Sequence, residues 1–325
     1  MMSTNKTIKW GILGLGKIAH KFAKDLNTLS GVELHAVASR SQEKADDFAN
    51  QFGAKKSYDS YEKLAKDPDI DAVYIATPHS YHKEYSILCL QHKKAVLCEK
   101  AFAMNSEEVS EMIQVSKENN VLLMEALWTR FLPHYQYVID LVRSKKFGKV
   151  KILQADFGFY QQFDIQNRLF RKEVGGGSLL DIGIYPIFAA LSTLGIPTKI
   201  EAKATFFENG ADSTCSMTFH YKESIAYLKS TLLEPSPTEA VFTFEEAIVT
   251  VHKPFHGPSS VTILKDGKYE TLDFNYQTLG YTFEIEHFNN LLLNHKKESD
   301  LMTFEFSKNL ISTLDTVRKI IGLEY

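Results

Sequence analysis

At 325 residues, 44% hydrophobic and 24% charged, the chain has the composition of a globular protein long enough for two domains, each with its own core. A net charge of −3 excludes a strongly basic nucleic-acid binder and gives no pull toward anionic lipid, so neither nucleic acid nor membrane is an expected partner. Cys89, Cys98 and Cys215 are odd in number and lack ligand spacing, which argues against a disulfide framework or a zinc site; no metal is expected.

The opening residues, Met1 to Thr7, lack an apolar signal core, and no later apolar run reads as long enough to cross a bilayer, so a cytoplasmic location is expected. Lys9 to Leu13 read as a short buried strand, and Ile18, Phe22 and Leu26 then recur at helical spacing on one side. Between them Gly14, Gly16 and Ala19 fit the pattern G-x-G-x-x-G/A. Its small residues permit a tight turn, close approach of backbone to a pyrophosphate, and close packing of helix on strand. Gly14, Leu15, Gly16, Lys17 and Ile18 are therefore candidate dinucleotide contacts, with the amides and dipole of the helix start turned to the phosphates. A purely structural glycine turn is the plainer alternative; the strand before and the helix after weigh against it.

A second strand, Glu33 to Ala38, ends at Ser39 and Arg40. NAD sites place an acidic residue about 20 residues after the glycines, on the ribose 2′-OH. A hydroxyl and a guanidinium there suit a 2′-phosphate instead, which favours NADP(H), with NAD(H) as the alternative. A solvated arginine at a strand end would look the same.

The chain then alternates. Helices are expected near Gln42 to Phe52, Ser60 to Lys66 and Ser80 to His92, and strands at Ala72 to Ile75, Ala95 to Cys98 and Val121 to Met124. Asn105 and Glu108 have the spacing of a capping pair for a helix running to about Asn119. Such alternation predicts a doubly wound parallel sheet over residues 1–126, with ligands at the carboxyl ends of its strands. Two strand ends then matter. One leads into Thr77, Pro78, His79 and His82, where a histidine lining the cofactor pocket competes with capping or packing. The other leads into Glu99 and Lys100. A partly desolvated lysine at that place can stabilise an alkoxide or share a proton with a reacting hydroxyl; taken alone, it reads as a surface lysine.

Residues 127–325 are expected to form an α+β domain. Lys151 to Phe157, Ile200 to Phe207, Ser213 to Tyr221, Ser224 to Leu232, Ala240 to Phe244, Ala247 to Val251 and Ser260 to Leu264 alternate apolar with polar residues. That is the pattern of a large, mostly antiparallel open sheet with one covered face. If Gly175-Gly176-Gly177 opens a helix, Asp181 and Tyr185 lie four residues apart on one face. Phe157 is a candidate wall of an apolar pocket, though core packing explains it equally. Tyr281 to Asn294 and Phe304 to Ile321 read as amphipathic packing helices.

Gly14-Leu15-Gly16-Lys17-Ile18-Ala19, Ala76-Thr77-Pro78, Cys98-Glu99-Lys100 and Met124-Glu125-Ala126-Leu127-Trp128-Thr129-Arg130-Phe131 together resemble the Gfo/Idh/MocA oxidoreductase family, and within it the dimeric dihydrodiol dehydrogenase and NADP-dependent D-xylose dehydrogenase branch. The resemblance implies an N-terminal Rossmann domain and a second domain that binds substrate and dimerises through its sheet. It makes Glu99-Lys100 the counterpart of the family's Glu-Lys-Pro motif, with Lys100 catalytic and Ala101 where proline is usual. It places Trp128 and Arg130 against the cofactor, with Trp128 also toward the substrate pocket. Tyr185, often histidine in the family, is implied as the acid–base group. With an unperturbed pKa of about 10, it needs a cation such as Lys100 to act as a base near neutral pH. Asp181 would orient a substrate hydroxyl. The implied activity is NADP(H)-dependent hydride transfer at a carbinol of an aldose or vicinal diol. Reduction of another carbonyl or an imine, or nucleotide sensing without turnover, are the alternatives.

Overall fold

In the computed structural model, which describes residues 7–325, the first part of the chain winds a six-stranded sheet. Of the opening segment read for a signal core, Met1 to Lys6 lie outside the described residues. The strands are β1 (Ile8–Leu13), β2 (Val32–Ala38), β3 (Lys56–Tyr58), β4 (Ala72–Ile75), β5 (Ala95–Glu99) and β6 (Leu123–Ala126), and the helices between them are α1 (Lys17–Leu26), α2 (Gln42–Phe52), α3 (Tyr61–Lys66), α4 (His82–Gln91) and α5 (Ser106–Asn119). The order is β3-β2-β1-β4-β5-β6 and every pairing is parallel, the expected Rossmann arrangement. Strand order reverses between β1 and β4, and in sheets of this kind ligands bind at the carboxyl ends of the strands flanking such a reversal.

The core follows from the apolar runs. Trp10 is fully buried, packs on Phe22 and Phe288, and donates its indole N–H to Asn289 Oδ1 at 3.2 Å. Phe22 stacks on Tyr74 with ring centroids 3.7 Å apart. Fully burying side chains of this size stabilises a fold by about 1.5–3 kcal/mol each. Ile18 does not join Phe22 and Leu26 as its spacing suggested: it is 39% exposed in the first turn of α1, where the chain is still emerging from the glycines. Strand β3 escaped the sequence reading, being only three half-buried residues.

The second unit holds α6 (Pro133–Ser144), an eight-stranded sheet and α7 (Ile184–Leu194). Its strands are β7 (Val150–Gly158), β8 (Lys199–Phe206), β9 (Asp212–His220), β10 (Ile225–Thr231), β11 (Ala240–Phe244), β12 (Ile248–Val251), β13 (Val261–Lys265) and β14 (Lys268–Leu272), in the order β14-β13-β12-β11-β7-β10-β9-β8. All pairings are antiparallel except β7 with β10. Alternation buries Leu153, Ala155, Met217, Phe219 and Leu228 on the side covered by α7 and leaves Gln154, Tyr227 and Lys229 facing outward. The sequence showed neither α6 nor β14. The latter is largely polar and is exposed up to its last residue, Leu272.

Lys172–Leu194 is long and apolar enough to cross a membrane by length and composition, contrary to the sequence expectation, but it is a succession of 3₁₀, π and α turns buried within this unit. Its apolarity serves the core. Helix α8 (Tyr281–Leu293) returns to the first unit, which comprises the chain up to Trp128 together with Gln277–Ser307, whereas the sequence reading left it in the second domain. The reason is polar as well as apolar: the Leu279 and Tyr281 amides donate to the Asp25 carboxylate at 3.1 and 2.9 Å, and Asn289 meets Trp10. A closing helix, α9, spans Phe304–Ile321.

Candidate functional site

At the end of β1, Gly14 adopts φ +85°, and a Cβ there would lie 2.8 Å from the Ala76 carbonyl carbon and oxygen. Only glycine lets β1 and β4 approach this closely. Gly16 opens α1, and a Cβ on it would meet no other protein atom within 4 Å. The first turn of α1 has neither a side-chain cap nor an acidic residue, whereas Ser41 and Asn105 cap α2 and α5. Free amides, a positive dipole end and open space beside Gly16 fit a dinucleotide pyrophosphate. Lys17 and Ile18 are exposed in that turn. Ser39 and exposed Arg40 follow β2, with the Ser39 hydroxyl accepting from the Ser41 amide at 3.3 Å.

After β4, Thr77 and Pro78 lead into a 3₁₀ turn, His79–Tyr81, in which His79 is buried. His82 is fully buried, with Nε2 2.8 Å from the Thr77 carbonyl and Nδ1 2.8 Å from the Ala101 carbonyl. It is a strut between the loops after β4 and β5, the packing alternative rather than a lining residue.

Strand β5 delivers half-buried Glu99 and Lys100 at its carboxyl end. The Tyr74 hydroxyl donates to Glu99 Oε1, and the Lys100 amide donates to Glu99 Oε2 at 3.2 Å. The Lys100–Ala101 peptide is cis, with alanine in the place of the usual proline. Two buried carboxyls near Glu99 had no role in the sequence reading. Burial pushes Glu125 up to about 7 while its Oε1 accepts from the Phe102 amide at 3.2 Å, and burial holds Glu284 well above the usual carboxylate range. For Glu125 a signal existed: a carboxylate inside the apolar run Leu122-Leu123-Met124-Glu125-Ala126. Trp128 is half-buried and stacks on Tyr281, centroids 4.7 Å apart. Arg130 is buried in the second unit, where its carbonyl accepts from the Gln136 side chain.

In the second unit the glycine run does not open an α-helix directly. Gly177 has φ +118°, and any Cβ on it would collide with Asp212. Asp212 Oδ2 accepts from the Ser178 hydroxyl at 2.6 Å and the Leu179 amide at 2.7 Å, fixing the start of a π turn, Leu179–Gly183, that runs into α7. Asp181 thus lies in the π turn and Tyr185 in the α-helix, so the four-residue spacing alone does not set them on one face. Asp181 is held by Arg168, whose Nη2 donates to Oδ1 at 3.0 Å. Tyr185 is buried against His256, centroids 4.6 Å apart, and Phe157 stacks on the same imidazole at 4.1 Å. Phe157 and Tyr185 therefore do share a wall. Arg168, Asp212 and His256 escaped the sequence reading, since each is distant in sequence from the residue it holds.

Residues 8–127 match the profile of the Gfo/Idh/MocA oxidoreductase family with an NAD-binding Rossmann fold, and residues 135–250 match that of the Gfo/Idh/MocA C-terminal domain. The chain is similar to trans-1,2-dihydrobenzene-1,2-diol dehydrogenase of Xenopus tropicalis, with 36% identity over 98% of this chain and 99% of the relative. It is also similar to scyllo-inositol 2-dehydrogenase (NADP(+)) IolU of Bacillus subtilis, with 32% identity over 98% of each chain. Among solved structures, a 3-ketoreductase from Actinomadura kijaniata in complex with NADP and TDP-benzene superposes with a TM-score of 0.86 at 25% identity, over 97% of this chain and 98% of that one.

Proposed function

The chain belongs to the Gfo/Idh/MocA oxidoreductase family, and from that premise we propose that it is an NADP(H)-dependent dehydrogenase oxidising a carbinol of an aldose or vicinal diol. The observation that carries the reading is the uncapped start of α1 beside Gly14 and Gly16, with Lys100 delivered at the end of β5, which β4 separates from β1 in the same sheet. Ser39 and Arg40 support NADP(H), since a guanidinium attracts a 2′-phosphate that a carboxylate repels. The two dehydrogenase relatives, one named for a dihydrodiol and one for an inositol, support a substrate with neighbouring hydroxyls.

In this reading the start of α1, with Ser39 and Arg40, would hold the dinucleotide, which when bound would supply the hydride acceptor for the carbinol carbon. Tyr185 takes the hydroxyl proton as the C–H bond breaks, leaving the carbonyl product. The Lys100 ammonium stabilises the negative charge developing on the oxygen and lowers the cost of a tyrosinate. Asp181, anchored by Arg168, accepts a hydrogen bond from an adjacent substrate hydroxyl. Phe157 and Trp128 supply apolar walls.

Absorbance of the reduced nicotinamide, followed with NADP⁺ and NAD⁺ across aldoses, inositols and trans-dihydrodiols, tests this. Turnover with NADP⁺ that Lys100→Met lowers by about 10²–10⁴-fold in kcat, with cofactor affinity little changed, is the expected result. Tight NADPH binding without turnover on any carbinol or carbonyl would overturn it.

The outward face of the eight-stranded sheet supports assembly with a second copy. Tyr269, Leu264, Ile248, Thr243, Ile152 and Ile225 stand side by side in one register row. A depression of about 660 Å³ beside that row is lined by Gln154, Glu201, Lys203, Tyr227 and Lys229; it opens on the outward face, opposite the side that α7 covers. Light scattering should give a dimer mass that Ile225→Lys halves.

A further inference from the structure

Strand β2 and the loop between α3 and β4 bring His35, Asp67 and Asp69 together on the first unit. His35 is 6% exposed, and its Nδ1 lies 3.0 Å from Glu33 Oε1. A neutral imidazole that donates from Nδ1 to this carboxylate presents the Nε2 lone pair on its other edge. Nε2 is buried without a hydrogen-bond partner and is aimed at two carboxylates, 3.6 Å from Asp67 Oδ2 and 3.8 Å from Asp69 Oδ2. A buried lone pair facing anionic oxygens is unfavourable unless a cation stands between them. Ligand atoms about 2.1 Å from a tetrahedral ion stand about 3.4 Å apart, so these separations close around one ion with small side-chain movements.

A cation already sits on these same oxygens. Lys56 Nζ lies 3.1 and 3.0 Å from the two Asp67 oxygens and 3.0 Å from Asp69 Oδ2. Tyr58 donates to Asp67 Oδ2 at 2.9 Å, the Asp69 amide donates to Asp67 Oδ1 at 3.0 Å, and Lys9 Nζ is 3.6 Å from Asp69 Oδ1. The Lys56 and Asp69 side chains are 38% and 49% exposed, so the ammonium has a route into solvent and an ion has a route in.

We propose that His35, Asp67 and Asp69 bind a divalent transition-metal ion such as Zn²⁺, with Glu33 orienting the imidazole and Lys56 as the ammonium that the ion displaces. Imidazole and carboxylate ligands suit such an ion, and the site uses none of the cysteines. Asp67 and Asp69 precede β4, at the end of the sheet opposite the carboxyl ends where ligands of such sheets lie. The ion would tie β2 to the loop before β4 rather than act on substrate.

The test is calorimetric titration of the metal-stripped full chain with Zn²⁺ near neutral pH, paired with thermal melting. One ion per chain and a raised melting temperature are expected, both lost in His35→Gln and Asp69→Asn. Glu33→Gln should weaken binding by roughly 10–100-fold, as loss of an outer carboxylate does. Lys56→Met should bind more tightly than the unsubstituted chain, because the competing ammonium is gone. Asp69→Asn alters a half-exposed residue, so it carries the test if His35→Gln fails to fold. Zinc binding that is undiminished in Asp69→Asn, or weaker in Lys56→Met, would overturn the proposal.

Discussion

Arg168 donates from Nη2 to Asp181 Oδ1 at 3.0 Å, so the carboxylate proposed to orient the substrate is itself held from the loop before the π turn. The Arg168 side chain is 43% exposed, and ion pairs this open add about 0–1 kcal/mol to stability. Arg168→Met should therefore move the melting temperature by no more than about 2–4 °C. Its effect on catalysis should be larger, about tenfold in kcat/KM, or roughly 1.4 kcal/mol. Steady-state kinetics beside a thermal melt separates the two. An unchanged kcat/KM would remove Asp181 orientation from the mechanism.

Gly14→Ala should abolish dinucleotide binding. The new Cβ would stand 2.8 Å from the Ala76 carbonyl, and φ of +85° strains any side chain. Relief requires parting β1 from β4, which spoils the turn, and a strained backbone position alone costs about 1–3 kcal/mol. Fluorescence titration with NADPH reads the loss. A variant that binds as before would show that the approach of these two strands is not what shapes the site.

Apart from β3, the first sheet was legible because its parts announced themselves locally. Glycines marked the turn, β-branched and apolar runs marked β1, β2, β4 and β5, and Asn105 capped α5 as its spacing to Glu108 indicated. What escaped were relationships across long stretches of chain. Asp25 anchors α8 from more than two hundred residues away, and nothing near Asp25 in sequence signals a carboxylate facing two distant amides. Asp212 fixes the π turn from the start of β9, so the spacing of Asp181 and Tyr185 was read on α-helical geometry that the turn does not have. Ile18 failed for another reason: periodicity assigns a residue to a face, but the first turn of a helix need not yet lie on the sheet.

Arg40 decides cofactor choice in the proposed reading. A charge-assisted hydrogen bond contributes about 1.5–3 kcal/mol, so Arg40→Ala should raise the KM for NADP⁺ by roughly 10–150-fold while leaving that for NAD⁺ nearly unchanged. Arg40 is exposed, so the fold should be unaffected. The ratio of the two KM values is the readout. If both rise together, Arg40 serves the adenosine in general rather than its 2′-phosphate.

Asp212 should make the second unit pH-sensitive. Its carboxyl is fully buried, and burial pushes it up to about 6 from 3.8 despite bonds from Ser178 and Leu179. A carboxyl with a raised pKa holds its proton longer in the folded state than in the unfolded one. Stability from this group is therefore greatest below about pH 4 and is lost as pH rises through about 6, an effect on the order of 3 kcal/mol. Glu125, pushed up to about 7 from 4.5, adds a decline of the same sign over a higher window. Ordinary paired carboxylates such as Asp69, held low by Lys56, act in the opposite direction, so the raw profile mixes signs. The clean quantity is the difference from Asp212→Asn, which keeps an acceptor for the Leu179 amide and cannot ionise. Denaturant unfolding at a series of pH values should show this variant gaining on the unsubstituted chain between about pH 4 and 6, then holding a constant advantage. Parallel profiles would mean that Asp212 ionises as freely in the folded chain as in water, and that its burial does not govern the start of the π turn.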